Sequence, residues 1–255
     1  MSPGALLTSH FSLKTKTMKR FTLFTLLTLI AAVAFPTMAK SKTYRLNVGR
    51  FDKVKITDNV NVVYKTVPDS IGMAVFTGAE EFADAFIFSN NKGKLTIQVN
   101  SEDVNHPELP TLYIYSDYIT AMESSSALKV TVNHTIPVPS FSAKVIGNGT
   151  ILANGINATS MEAVVATGKG VIDISGKCQK AEYRMVGTGK IEALGMEATE
   201  VKCTILGTGD IYCWPTKELV SKGIGSTKIY YKGNPEISKK GGGHILPSDS
   251  IPKTN

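Results

Sequence analysis

Gly147-Asn148-Gly149-Thr150-Ile151, Gly168-Lys169-Gly170-Val171-Ile172, Gly187-Thr188-Gly189-Lys190-Ile191 and Gly207-Thr208-Gly209-Asp210-Ile211 are four statements of one phrase. Gly223-Ile224-Gly225-Ser226-Thr227-Lys228-Ile229 is a degenerate fifth. The interval is roughly twenty residues, a range in which each repeat is one structural unit that buries its apolar face only against its neighbours. Ahead of the glycines the copies fall into apolar columns: Phe141, Met161, Ala181, Val201; Ala143, Ala163, Tyr183, Cys203; Val145, Val165, Met185, Ile205. Between them stand mostly polar columns, Ser142, Glu162, Glu182, Lys202 and Lys144, Val164, Arg184, Thr204. This period-two alternation is that of a half-buried strand. It resumes after the glycines with Ile151, Ile172, Ile191 and Ile211, then Ala153, Ile174, Ala193 and Cys213.

Each repeat therefore reads as strand, Gly-x-Gly corner, strand, with a second corner at Asn154-Gly155, Ser175-Gly176 and Leu194-Gly195. Glycine suits a corner because it takes positive φ without a Cβ penalty. Coils of this kind, stacked at about 4.8 Å, predict an all-β fold, a parallel β-solenoid. An all-helical solenoid is opposed by the mid-repeat glycines and by the alternation. A phosphate-binding loop needs a helix after its glycines, whereas every copy here runs at once into another strand.

Working outward, residues 1–39 read as a targeting segment. Lys19 and Arg20 form the basic start, Phe21 to Phe35 the apolar run and Thr37-Met38-Ala39 the small-residue cleavage site, with Met18 an alternative start. The apolar run is short for a membrane span, and no Cys near the cleavage site suggests a lipid anchor. Without this segment, which holds Lys14, Lys16, Lys19 and Arg20 and no acid, the formal charge of +7 falls by four to +3. The remaining lysines are interleaved with acids, which argues against a nucleic-acid footprint. Residues 40–237 are expected to be one solenoid domain, regular over 141–231. Its first half reads as less regular coils: strands around Val54 to Tyr64, Leu95 to Val99 and Leu112 to Tyr115, with a short helix or excursion over 78–87. Ser124-Ser125-Ser126 reads as the first regular corner with serines in place of glycines. Lysines and a proline in Tyr230-Tyr231-Lys232-Gly233-Asn234-Pro235 blunt the last edge, and 238–255 reads as a flexible tail.

With these features in hand, the chain resembles the putative autotransporter adhesin head domain family, also called the head GIN domain. The residues that carry the resemblance are the Gly-x-Gly-x-Ile phrases, Tyr231-Lys232-Gly233-Asn234-Pro235, the strand pair from Phe51 to Tyr64 and Leu95-Thr96-Ile97, and it spans most of residues 43–237. It implies a β-helix-like fold, a secreted protein of a Gram-negative envelope and a role in adhesion. The membrane barrel of an autotransporter is not expected after Ile237.

No residue constellation names a reaction, and no catalytic, cofactor-binding or metal site is assigned. Cys203 and Cys213 occupy inward columns on either side of one corner, as buried thiols or as a disulfide; Cys178 is the odd thiol. His10, His106, His134 and His244 are scattered, and no Cys-x-x-Cys exists, which opposes zinc. Asp173 with Glu192, and Glu162 with Glu182, share outward columns on adjacent coils at a separation that would suit a retaining glycosidase. Their alternative is a solvated ladder neutralised by Arg184 and Lys202. Tyr212 and Trp214 are candidates for a sugar-stacking platform or for a cap over the core. Asp69-Ser70-Ile71 and Asp249-Ser250-Ile251 resemble a short acceptor for periplasmic O-glycosylation. The reading that follows is an exported, cofactor-free binding or adhesion module of the periplasm, outer-membrane surface or exterior. Its expected partner is a glycan, a surface protein or a second copy of itself; the alternatives are a polysaccharide-active enzyme and a self-assembling envelope subunit.

Overall fold

Short alternating segments between turn residues build the first half of the computed structural model, which describes residues 41–100 and 109–251. They are β1 (Lys42–Asn47), β2 (Lys53–Ile56), β3 (Val62–Lys65), β4 (Met73–Gly78), β5 (Phe86–Asn91), β6 (Lys94–Val99), β7 (Leu112–Tyr115), β8 (Ala121–Ser124) and β9 (Lys129–Asn133). β2 lies in parallel between β6 and β8, and β3 between β7 and β9. The first coil of the chain is therefore not the first along the axis, because the later coil β6–β7 stacks on its outer side. Three antiparallel strands then close this end, β4 on β7, β1 on β4 and β5 on β6. The β5–β6 hairpin turns on Lys92 and Gly93, both at positive φ, as a two-residue type I′ loop requires. The 78–87 stretch holds a single 3-10 turn, Glu80–Phe82, that seats Phe82 and Phe86 in the core.

The regular half comprises β10 (Val138–Ile146), β11 (Thr150–Thr167), β12 (Val171–Met185), β13 (Lys190–Ile205), β14 (Asp210–Gly223), β15 (Lys228–Tyr231), β16 (Glu236–Gly241) and β17 (His244–Pro247). The sequence columns are its ladders. Phe141, Met161, Ala181 and Val201 are successive partners, and Ile151, Ile172, Ile191, Ile211, Ile229 and Ile245 form one row. The first five isoleucines of that row are fully buried, each worth about 1.5–3 kcal/mol when removed from water. The serine corner also holds: Val130 pairs with Ile151, and the buried Ser126 hydroxyl accepts the Leu128 N–H at 3.0 Å.

Three details differ from the expectation. The second corner shifts the register once but does not end the ladder: past that irregularity Ile156, Asn157 and Ala158 pair with Gly176, Lys177 and Cys178. Each coil thus gains a third short side. The glycines, too, act in two ways. Gly168 has φ +68, whereas a Cβ on Gly189 would overlap the Gly170 carbonyl of the next coil, so close stacking and not φ fixes it.

The expected flexible tail is instead a further coil, with β16 parallel to β14 and β17 parallel to β15. Gly241-Gly242-Gly243-His244-Ile245 is a sixth copy of the phrase, and Gly241 and Gly243 turn the corner at φ +102 and +90. The solenoid reaches Pro247, about six turns from residue 121. Its last edge is guarded by Lys239, which stands in the inward column beside Ser221, by Lys240 and by Pro247. The targeting segment expected over residues 1–39 lies outside the described residues. Among those described, no helix is long and apolar enough to cross a membrane.

Candidate binding groove

Where the third short side meets the strands that begin at Phe141, Met161, Ala181 and Val201, two outward columns run along the axis with a groove of about 640 Å³ between them. One rim is Ser140, Ser160, Lys180, Glu200 and Glu218; the other is Ser142, Glu162, Glu182, Lys202 and Val220. Five coils at about 4.8 Å give it a length of about 19 Å. The arrangement repeats one polar side chain per coil on each rim, Val220 excepted, above an apolar floor. Strand periodicity explains the rims, since i and i+2 point to the same side of the chain.

The rims are neutralised pair by pair. Lys202 donates to Glu182 at 3.0 Å, Lys180 lies 3.3 Å from Glu200, Arg184 lies 3.7 Å from Glu162, and Ser142 donates to Glu162 at 3.3 Å. Glu162 and Glu182 are indeed ladder neighbours, and so are Asp173 and Glu192. Glu192 is held by Lys190 at 3.5 Å. Glu162, Glu182 and Glu192 each have a cation of their own, as in a solvated ladder. The column containing Asp173 and Glu192 lies away from the groove and leads instead to Tyr212 and Tyr230.

Those tyrosines point outward yet are nearly buried. Their rings stack at 5.0 Å and 14°, with the Lys190 ammonium 5.7 Å from the Tyr212 centroid and Leu246 next in the column. Burial, then Asp210 and Glu192, push the Tyr212 hydroxyl up to about 12. Tyr212 is therefore a member of an aromatic ladder and not an open platform. Trp214 is half-buried, and its ring face is taken by Lys232 at 3.8 Å.

Inside the coils, Cys203 and Cys213 are free, fully buried thiols that share a hydrogen bond. Tyr183 is buried among Cys213, Cys178 and Cys203, its hydroxyl without a hydrogen-bond partner and pushed well above the ordinary phenol range by burial. His134 is buried against Tyr64, the rings 5.9 Å apart, and burial lowers its basicity. No metal-holding group of three such side chains occurs among the described residues. Ser70 and Ser250 both end 3-10 turns, Pro68–Ser70 and Ser248–Ser250, but Ser70 is buried and Ser250 exposed. Sequence reasoning missed the groove, because the corner that creates it has no marker residue: a serine, a lysine or a glutamate serves equally at each rim position.

The family model described as "Putative auto-transporter adhesin, head GIN domain" matches residues 50–235. Among solved structures, the chain is similar to a putative adhesin from Bacteroides fragilis, with TM-score 0.71, 21% identity, and coverage of 82% of this chain and 97% of that one. It is also similar to a putative lipid binding protein from Parabacteroides distasonis, at TM-score 0.64 and 20% identity over 81% and 96% of the two chains. A putative adhesin from the same organism aligns with TM-score 0.63 and 19% identity, over 82% and 97%. At these identities the likeness is one of fold. No protein of curated function matches the chain.

Proposed function

We propose, from the premise that this chain belongs to the putative auto-transporter adhesin, head GIN domain family, that it is an exported surface module that binds an extended ligand without chemistry. The groove carries this reading: a channel five coils long, its rims polar at every coil except at Val220, suits a chain molecule laid along the axis. A glycan is the preferred ligand, since Ser140, Ser142, Ser160 and the paired Lys and Glu side chains offer hydroxyl-matching donors and acceptors above an apolar strip. A surface protein segment is the other ligand of this shape. The pairing of Glu162, Glu182 and Glu192 with separate cations favours binding over glycoside cleavage. The basic, apolar and small-residue order of residues 19–39 supports export to the envelope or beyond.

A glycan array probed with the exported protein, with mass spectrometry of the eluted sugars, tests the proposal. Saturable binding with intact sugars, lost in Lys180→Glu/Lys202→Glu, is the expected result. Cleaved sugars, with cleavage abolished by Glu162→Gln or by Glu192→Gln, would overturn it in favour of an enzyme.

A further inference from the structure

The residue that precedes the first glycine of each phrase points away from the core at the corner. In two of the last regular coils these residues are Val186 and Leu206, exposed by 42% and 53%, and the same place on the next coil is taken by Ile224, one position past the first glycine of its phrase and exposed by 74%. They stand on successive coils: the Leu206 and Ile224 amides bond to Met185 and Ile205 of the preceding coils. The result is an aliphatic ridge that rises toward the C-terminal end. A soluble surface gains nothing from such a ridge, and apolar side chains exposed in a row mark a contact site. Glycine surrounds its crest: Gly223 and Gly225 flank Ile224 in sequence, and Gly242 lies beside it, its amide bonded to the Gly223 carbonyl at 2.6 Å. No neighbouring side chain shields Ile224 from a flat partner.

The charges around the crest are mostly positive, with Asp210 beside Lys228 the exception. Lys222 and Lys240 are ladder partners on one flank, and Lys228 leads to His244 on the other. Among the described residues none of Lys222, Lys228 and Lys240 makes an ion pair. The acids nearby are Asp210, the ladder neighbour of Lys228, and Glu162, Glu182 and Glu192, already held by Arg184, Lys202 and Lys190. An aliphatic crest ringed by unpaired lysines is the chemistry of a surface that inserts apolar side chains below anionic headgroups while ammonium groups meet the phosphates.

We infer that this corner docks the protein on an anionic phospholipid surface, with Ile224 and Leu206 inserted and Lys222, Lys228 and Lys240 at headgroup level. The apolar crest is separate from the groove, whose far rim, Glu182, Lys202 and Val220, stands four positions before Val186, Leu206 and Ile224 on the same strands; Lys222 both lines the groove and flanks the crest.

The test is vesicle co-sedimentation of the full chain, recovered from the periplasm of an expressing host. It compares vesicles of phosphatidylcholine with about one-third phosphatidylglycerol against phosphatidylcholine alone. Any leader remaining on the protein is shared by all variants, so differences belong to the corner. Wild type is expected to bind the anionic vesicles at least about tenfold more tightly. Leu206→Ser/Ile224→Ser should lose about tenfold or more on those vesicles, and Lys222→Gln/Lys228→Gln/Lys240→Gln should erase the preference for them. All these side chains sit at exposed positions, and thermal unfolding of each variant verifies the fold; Ile224→Ser alone serves should the double variant melt early. Retained binding by folded Ile224→Ser, equal binding to both vesicles, or wild type that binds neither would overturn the inference. So would a change only in self-association by ultracentrifugation, which would assign the ridge to a second copy of the chain.

Discussion

The carbonyl oxygen of Gly170 occupies the space that a side chain on Gly189 would need. The two glycines lie on consecutive coils, and the oxygen also accepts the Lys190 amide at 2.9 Å. Neither can withdraw without parting the ladder. Gly189→Ala is therefore expected to cost about 3 kcal/mol, the upper end for inserting a methyl into packed structure. Gly147 has no atom within 4 Å of a built Cβ but sits at φ +106, so Gly147→Ala should cost only the left-handed strain of about 1–2 kcal/mol. Urea denaturation of the two variants measures the difference; a loss at Gly189 no larger than that at Gly147 would show that the ladder yields to the methyl and that stacking does not select this glycine.

How far the sequence could be read follows from the same contrast. The columns from Phe141 to Val201 and from Ile151 to Ile229 were legible because like side chains at like spacing permit one register. The insertion of β2–β3 between β6–β7 and β8–β9 was not, since alternation says which way a side chain points and nothing about which strand lies alongside. The coil of β16 and β17 was hidden by composition: Gly241-Gly242-Gly243 resembles a flexible linker, although it supplies the same corner as Gly207-Thr208-Gly209. Tyr212 and Trp214 were visible as aromatics, but their partners Tyr230 and Lys232 were set by stacking across coils.

The buried hydroxyl of Tyr183 has no hydrogen-bond partner and lies among thiols. Leaving such a group dry costs about 1–3 kcal/mol, which the phenyl ring alone would not incur. Tyr183→Phe is expected to raise stability by about 1 kcal/mol, read as a higher urea midpoint at unchanged slope. A loss of stability would show that the hydroxyl is bonded in solution, by a trapped water for example.

His134 gives the protein an acid-sensitive step. Its folded basicity lies below the ordinary value of 6.5, so the unfolded chain binds more protons and stability rises with pH through that interval. The contribution is complete above pH 6.5 and is lost as pH falls toward the lower folded value, by at most about 1.4 kcal/mol per unit. Melting temperature should drop from pH 7.5 to pH 5, and His134→Leu should flatten that part of the profile. An unchanged slope in His134→Leu would move the acid sensitivity to the carboxylates of the ladders.

Cys203 and Cys213 reach across the core from opposite sides of a coil, both fully buried and hydrogen-bonded as thiols. That bond, and then burial, hold Cys203 well above the ordinary thiol range, so the thiolate that attacks disulfides and alkylating reagents is scarce. Cys178, half-buried, is pushed up from 9.0 to about 11 by burial alone. Two units at a fixed pH below both values remove about 99% of its thiolate, so Cys178 should react about a hundredfold more slowly than free cysteine. Access limits the other two further, because a reagent reaches them only when coils part. Alkylation of the native protein at pH 8 should therefore show no fast thiol, and all three should label at once in denaturant. A fast native thiol would place Cys178 in solvent, and only one labelled thiol in denaturant without reductant would reveal a Cys203–Cys213 disulfide, with the hydrogen-bonded pair as its precursor.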